Sequence, residues 1–341
     1  GVFDLTPMIK HRVSGPDALA YLNRLVTRDV SKLKPGRVGY AVWCNDQGQV
    51  IDDGTIFHLS PGVYRVCSQE HQIDWFMTSA LGFNVEIVDE THDVAGLAVQ
   101  GPTSCAILKK MGLQGVENIT PFGMQTFAFE GTELGVSRTG YTGDLGYEIW
   151  IDPDHAEVLW DRLFEAGKFH GIRAMGSEAL DLLRIEAGFI LAGVDFLPAQ
   201  HAVRPTHTRS PFELGLAWLV DFKKPVFTGR RALLEEQKRG SRFALVKLDI
   251  DGNKVAHDSY VYNKDKVFAG TITSAMWSPS AKASIALASL EAPHGKPGEE
   301  LLVEIYYQRE LKWNRVMAPC RVVENVFWDP ARKRLTPPAD F

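Results

Sequence analysis

A chain of 341 residues, 45% hydrophobic and 23% charged, has the make-up of an ordinary globular protein with material for about two or three domains. A formal net charge of -5, with Lys and Arg scattered along the chain, leaves no basic field of the kind that binds nucleic acid. No apolar run approaches the roughly 20 residues that span a bilayer, and the opening run GVFDLTPMIK has no secretory h-region, so no membrane is expected and the expected location is the cytoplasm. The four cysteines (Cys44, Cys67, Cys105, Cys320) are far apart, without CxxC or Cys/His metal spacing, and read as free thiols of a metal-free protein.

In chain order, His11 to Val13 begins a strand, Gly15-Pro16-Asp17 marks a turn, and Ala18 to Leu25 has helical apolar spacing. Val38 to Cys44 and Val50 to Leu59 form a hairpin through Asn45-Asp46-Gln47-Gly48, and Val63 to Cys67 follows. A helix is expected over Gln69 to Leu81, short strands over Val85 to Val88 and Val94 to Val99, and a helix through Lys109 with Pro102 in its first turn. The same kinds of element return at Thr126 to Phe129, Leu134 to Arg138, Tyr147 to Ile151 and the helix Ala156 to Ala166, which suggests two related α+β lobes. In a helix over Ser177 to Ala187, Leu180, Leu183 and Ala187 are expected to face the core, with Asp181 and Arg184 paired at i, i+3.

Leu233 to Arg239 reads as a charged connecting helix. Beyond it the pattern is mostly β: Arg242 to Ile250, Tyr260 to Tyr262, Lys266 to Thr273, Ala283 to Leu290 and Glu300 to Tyr307. This divides the chain into an α+β region at 1–239, a β domain at 240–326 and an irregular, proline-bearing tail at 327–341.

Two segments carry most of the chemistry. Gly48-Gln49-Val50-Ile51-Asp52-Asp53-Gly54 ends an apolar strand on adjacent carboxylates, which point to opposite faces, so one of them is a site candidate and the other structural. Gly140-Tyr141-Thr142-Gly143-Asp144-Leu145-Gly146-Tyr147-Glu148 sets an aromatic and a Glu around a glycine turn, where glycines would let backbone approach a ligand closely.

These segments occur with Phe3-Asp4-Leu5-Thr6-Pro7-Met8, Leu97-Ala98-Val99-Gln100-Gly101-Pro102, Leu183-Arg184-Ile185-Glu186-Ala187-Gly188, Phe227-Thr228-Gly229-Arg230-Arg231-Ala232-Leu233, Thr273-Ser274 and Ser278-Pro279-Ser280. In that order, over nearly the whole chain, the set resembles the glycine-cleavage T-protein (aminomethyltransferase) family. The resemblance implies an α+β fold of two related folate-binding lobes plus a C-terminal antiparallel β-barrel, with tetrahydrofolate in a central channel and transfer of a one-carbon unit to its N5. It also implies a helix and strand ahead of Phe3.

Matched position by position, Asp53 resembles the family's catalytic Asp, where a fixed carboxylate orients the attacking amine and offsets charge developing at N5. Glu148 resembles the Glu that accepts the pterin amino and ring N–H groups. Tyr141 and Tyr40 resemble aromatics of the folate channel, and Val66, Cys67 and Ser68 stand where the family lines the folate ring. Each of these could equally be core.

Departures mark this chain. T-proteins carry an Arg just before the Asp-x-Leu-Arg element, but here Leu180 precedes Asp181-Leu182-Leu183-Arg184, so the guanidinium fork is absent there. The segment Asp195 to Glu213 is longer and richer in His and Arg than the family's connection, which makes His201, Arg204, His207 and Arg209 candidates for binding a donor, against a plain solvated loop.

Three function classes follow. One is a tetrahydrofolate-dependent demethylase acting on a small methylated donor, slightly favoured by Leu180 and the insert. Another is the aminomethyltransferase itself, with a lipoyl-bearing carrier protein as partner. The third is a non-catalytic folate-binding relative. It is disfavoured because Val226 in Lys224-Pro225-Val226-Phe227 replaces the Cys of the iron-sulfur assembly relatives. A flavin oxidase fusion is excluded by the absence of GxGxxG in this sequence.

Overall fold

The computed structural model describes residues 1–338; positions 339–341 of the expected tail lie outside the described residues. The chain begins β1 (Val2–Asp4), β2 (Ile9–Ser14), α1 (Ala18–Leu25), β3 (Arg37–Cys44), β4 (Val50–Ser60), β5 (Val63–Ser68), α2 (Ile73–Ser79) and β6 (Glu86–Asp89). It continues through β7 (Ala95–Gln100), α3 (Ser104–Lys110), β8 (Met124–Phe129), β9 (Thr132–Ser137), β10 (Gly146–Ile151), α4 (Ala156–Gly167), α5 (Ser177–Glu186) and α6 (Arg230–Arg239). The last strands are β11 (Phe243–Ile250), β12 (Tyr260–Tyr262), β13 (Phe268–Ser278), β14 (Ala283–Glu291), β15 (Glu300–Arg309) and β16 (Lys312–Val323).

By contacts the chain divides into two compact units: Gly1–Ala41, Asp53–Leu180 and the residues from Asp329 on form unit 1, and Val42–Asp52 with Asp181–Trp328 form unit 2. That division cuts between Asp52 and Asp53.

Unit 1 is built on two five-stranded sheets, ordered β1-β7-β10-β9-β8 and β3-β4-β5-β2-β6. On the first sheet, alternation sends Tyr147, Ile149 and Ile151 to one face, where they pack with Leu108 of α3 and Leu159 and Leu163 of α4. Glu148 and Trp150 go to the other face, beside Ala98 of β7. There the second sheet meets them: Phe57 of β4 packs edge-on against Trp150 at 5.5 Å, and Phe3, Leu5, Val38 and Cys67 complete the inter-sheet core. Lys10 of β2, fully buried, pairs across from Cys67 and donates to the carbonyls of Thr6 (2.9 Å) and Met8 (2.7 Å). The opening motif is thus the loop that solvates a buried ammonium.

In unit 2, β11-β14-β13-β12-β15-β16 close into an antiparallel barrel around Leu248, Val261, Ala288, Val303 and Val322. Strand β16 was not expected. Its first half is largely exposed, Trp313 and Val316 included, so it offers no buried face for hydrophobic patterning to find, yet it pairs with β15 from Glu300↔Arg321 to Arg309↔Lys312. β1 was missed because three residues carry no periodicity; its register with β7 (Val2↔Val99) makes it a strand. The expected helix Gln69 to Leu81 is shorter, Ile73–Ser79.

The largest correction concerns α5. Ala187, just beyond the helix, is buried as expected and Leu180 packs against the inter-sheet core, but Leu180 and Leu183 are only half-buried, and within α5 the most buried positions are Arg184, Ile185 and Glu186. Arg184 is buried because every direction of its fork is met. It donates to Asp181 (2.7 Å), Asp195, Ser274 (2.8 Å) and the carbonyl of Phe189 (3.2 Å). Asp195 is completed by Thr273 (2.6 Å), Ser274 (2.7 Å) and the amide of Leu191 (2.9 Å). Glu186 accepts from the Ser278 hydroxyl at its carboxylate, and its carbonyl receives the amides of Phe327 and Trp328. The motifs at 183–188, 273–274 and 278–280 are therefore one structural knot.

Candidate functional site

The site candidates of unit 1 lie on the facing surfaces of its two sheets. Asp53, Thr55 and Phe57 share one face of β4, the face that meets Trp150. Asp53 is half-buried and accepts a hydrogen bond of 2.6 Å from the Tyr40 hydroxyl on β3, while the Tyr40 carbonyl receives the Arg28 guanidinium. A carboxylate held by a phenol on a neighbouring strand has its orientation set before any ligand arrives. Asp52, on the opposite face, is fully buried.

Glu148 comes from the other sheet, two residues before Trp150 on the same face. Its carboxyl is buried and, among the described residues, its side chain accepts from the Thr139 hydroxyl alone, at 2.6 Å. Thr139 is in turn bonded to Ser137 (2.7 Å), which also receives the Trp150 indole N–H at 3.3 Å. Burial pushes the Glu148 carboxyl up to about 7, against the opposing effect of the Thr139 bond. Cys67 faces it from the second sheet: burial, with a contribution from the Glu148 charge, pushes the thiol up to about 12, so it stays protonated and unreactive.

The run Val66-Cys67-Ser68 splits by alternation. Cys67 pairs with Thr55 on the inter-sheet face, whereas Val66 pairs with Ile56 and Ser68 with Gly54 on the outer face. Of the three, only Cys67 presents its side chain on the inter-sheet face. Sequence reasoning also missed Thr139, Ser137 and Trp150. A serine and a threonine flanking Arg138 ahead of a glycine turn give no signal until strand pairing sets Ser137 opposite Glu148.

The glycine turn has a cause internal to the protein. A Cβ on Gly140 or Gly146 would lie 2.1 Å from the Gln100 side chain. Gln100 donates to the carbonyls of Thr139 (3.2 Å) and Tyr147 (3.3 Å) and accepts from Thr142 (2.8 Å). Gly140 and Gly146 thus make room for Gln100, the residue that clamps this loop. Half-buried Tyr141 sits within that turn. Asp144 is held by both Nε (2.7 Å) and Nη2 of Arg332, while Arg138 donates to the carbonyls of Lys333 (3.2 Å) and Leu335. The described part of the tail is thereby tied to the Glu148 loop.

The remaining candidates belong to unit 2. His201, Arg204 and His207 are exposed. Arg209 stacks on Phe243 at 3.7 Å and donates to Ser289 (3.1 Å) and to the carbonyls of Thr206 and Thr208. The segment is no free loop at its edges, since the Val50 amide donates to the Arg209 carbonyl and the Val50 carbonyl receives the Ala199 amide. The motif at 227–233 also packs locally: Gly229 has φ +85°, and a Cβ there would meet the Asn45 carbonyl at 2.7 Å.

Two facing α+β sheets carrying a buried carboxyl, followed by a closed antiparallel barrel, define a class of protein, the T-protein fold. The comparisons agree. The GCVT N-terminal domain matches residues 1–224, and the glycine cleavage T-protein C-terminal barrel domain matches residues 242–329. The chain belongs to the glycine cleavage T-protein family, a family of enzymes.

Among its relatives, the trimethylamine-oxide aldolase of Ruegeria pomeroyi is 37% identical over 98% of this chain, and the chain spans 42% of that protein's length. The aminomethyltransferase of Halothermothrix orenii is 33% identical over 89% of the chain and 84% of its own length. The crystal structure of the glycine cleavage system aminomethyltransferase T from Bartonella henselae shares the fold. Its TM-score is 0.83 at 24% identity, over 96% of this chain and 86% of that one.

Proposed function

We propose that this protein binds tetrahydrofolate against the facing sheets of unit 1 and transfers a methyl or methylene group from a small donor to its N5. The observation that carries the reading is Glu148, a buried carboxyl with a single hydroxyl partner and an elevated pKa. Such a group has unmet acceptor capacity, and an aminopterin edge offers the parallel N–H donors that fit it. When bound, the folate supplies the nucleophilic nitrogen. Glu148 would fix the pterin end, losing its proton as it accepts the two donors. Asp53, held by Tyr40, would orient the reacting nitrogen and offset the positive charge that develops on it. Cys67 and Tyr141 would contact the ring between them, with Val66 and Ser68 restricted to backbone contacts.

The relatives leave two donors in view. The aldolase relative is named for a methylated amine oxide, which favours a small methylated amine donor, and Leu180 agrees with it: this side chain packs against the apolar inter-sheet core and offers no guanidinium. The second reading is aminomethyl transfer from a lipoyl carrier protein, supported by the aminomethyltransferase relatives. A donor screen with tetrahydrofolate, following 5-methyl- and 5,10-methylene-tetrahydrofolate by mass, separates them, because ammonia released from an aminomethyl-lipoyl carrier comes only with the aminomethyl reaction, whereas a di- or trimethylated amine leaves a smaller amine. Folate binding without product from any donor would defeat the transferase reading. Exposed His207 and Arg204 are proposed donor contacts. His207→Ala and Arg204→Ala should raise KM for the donor at unchanged folate affinity, and wild-type kinetics would remove them from the site.

A further inference from the structure

A buried imidazole lies on the outer face of the second sheet of unit 1, away from the carboxyls assigned above. His11, in the middle of β2, is fully buried, and neither ring nitrogen has a hydrogen-bond partner among the described residues. Buried polar atoms are nearly always paired, so two orphaned nitrogens on one ring call for an explanation. Beside it stand His71, in the connection between β5 and α2, and Asp89, its cross-strand neighbour on β6. Ligand atoms from these three residues all lie within 4.8 Å of one another. No sequence spacing announces the group, because the sheet brings together positions from three separate segments.

The geometry points to a binding site for a divalent transition-metal ion, of the Zn2+ class, formed by His11, His71 and Asp89. Two imidazoles and one carboxylate are the donor set that borderline ions such as Zn2+ prefer, and they disfavour Mg2+ and Ca2+, which take oxygen ligands. The supporting contacts suit ligation. One Asp89 oxygen is anchored by the Thr91 amide at 2.9 Å, which leaves the other, now 2.8 Å from His71 Nε2, to turn toward an ion. The His11 ring is held edge-on by Phe76 at 5.1 Å, and the His71 ring meets it nearly perpendicular at 5.6 Å.

Tetrahedral zinc bonds of about 2.1 Å set ligand atoms roughly 3.4 Å apart, so the widest separation must close by up to about 1.4 Å while His71 and Asp89, now 2.8 Å apart, open slightly. His71 and Asp89 can supply that movement, with side chains 53% and 33% exposed, while His11 stays fixed. The same exposure leaves a fourth position for water. Because His71 follows shortly after Ser68, the ion would tie the end of β5 to β2 and β6 and order the segment that leads into α2. Without an ion, His11 would serve only as an aromatic filler.

Equilibrium dialysis of the chelator-stripped 341-residue chain against Zn2+, with metal counted per chain, tests this. The wild type should bind one ion, and Co2+ should give the visible absorption of a tetrahedral site. His71→Ala, a change at an exposed position, should keep the fold by circular dichroism and weaken binding on the order of 100-fold or more. His11→Phe, which preserves the ring packing, should abolish the site, and Zn2+ should raise the melting temperature of the wild type and of neither variant. Equal zinc binding by wild type and both variants, or no binding by the wild type at micromolar Zn2+, would overturn the assignment.

Discussion

Unit 1 and unit 2 each bury ionisable side chains, and they treat them in opposite ways. In unit 2 the Arg184 fork meets Asp181, Asp195, Ser274 and a backbone carbonyl, and Asp195 collects three further donors besides. In unit 1 Glu148 meets one hydroxyl and carries a raised pKa. A fully met buried charge holds a fold in place, since its desolvation is offset within the protein. A carboxyl left short of donors destabilises the empty protein and is ready for a ligand that brings them. Both kinds of residue sit in family motifs, so motif membership alone does not separate structure from site.

Breaking the knot should have the largest effect on stability. Arg184→Ala leaves Asp195 buried beside an empty space and should cost about 3–5 kcal/mol, read as a lower urea midpoint. If Arg184→Ala instead keeps full stability and loses only catalysis, the contrast between the units collapses.

On the other side of the comparison, Asp53→Asn should lower kcat on the order of 10²-fold or more, with the melting temperature almost unchanged. A large loss of stability with kcat intact would move Asp53 into the structural group.

Glu148 sharpens the contrast through pH. Its folded pKa, about 7, lies above the ordinary carboxyl value. The folded state therefore holds its proton longer than the unfolded state, and this group's contribution to stability is full at acid pH and falls as pH rises through about 7. Ligand binding runs the other way: tetrahydrofolate should bind more tightly at pH 8 than at pH 6, because the carboxylate is what accepts two N–H donors. Glu148→Gln should bind folate weakly and flatten both dependences, measured by calorimetry and by thermal melts. A wild-type affinity independent of pH over that range would argue against Glu148 as the pterin contact.

The smallest effect is expected at Tyr40. Removing its hydroxyl with Tyr40→Phe deletes the 2.6 Å bond to Asp53, worth about 1 kcal/mol, so kcat should fall several-fold with KM for folate little changed.

Most strands and helices were legible from local pattern and turn residues: α1 and β12 have the bounds that the sequence assigns, and β4 and β14 differ by one residue at one end. Strand β16 was not legible, since its first half is largely exposed with no buried face and only pairing with β15 makes it a strand. α5 misled for the opposite reason. Apolar periodicity assigns the core to Leu180, Leu183 and Ala187, while the helix buries, beside Ile185, an arginine and a glutamate whose partners come from positions about ten to ninety residues away in sequence, beyond the reach of any local rule.

By itself the sequence determined the α+β character, the β-rich end, the family, and the opposition of Asp52 and Asp53, because each rests on ordered motifs or on the two-residue period of a strand. Only the tertiary structure decided that Glu148 lies across from Cys67, that Val66 and Ser68 turn away, that Gly140 and Gly146 yield to Gln100, and that His11 meets His71 and Asp89. Those facts depend on which strands become neighbours and on how much water each carboxyl or imidazole loses, and strand partnership and desolvation are properties of the folded protein rather than of any segment of its chain.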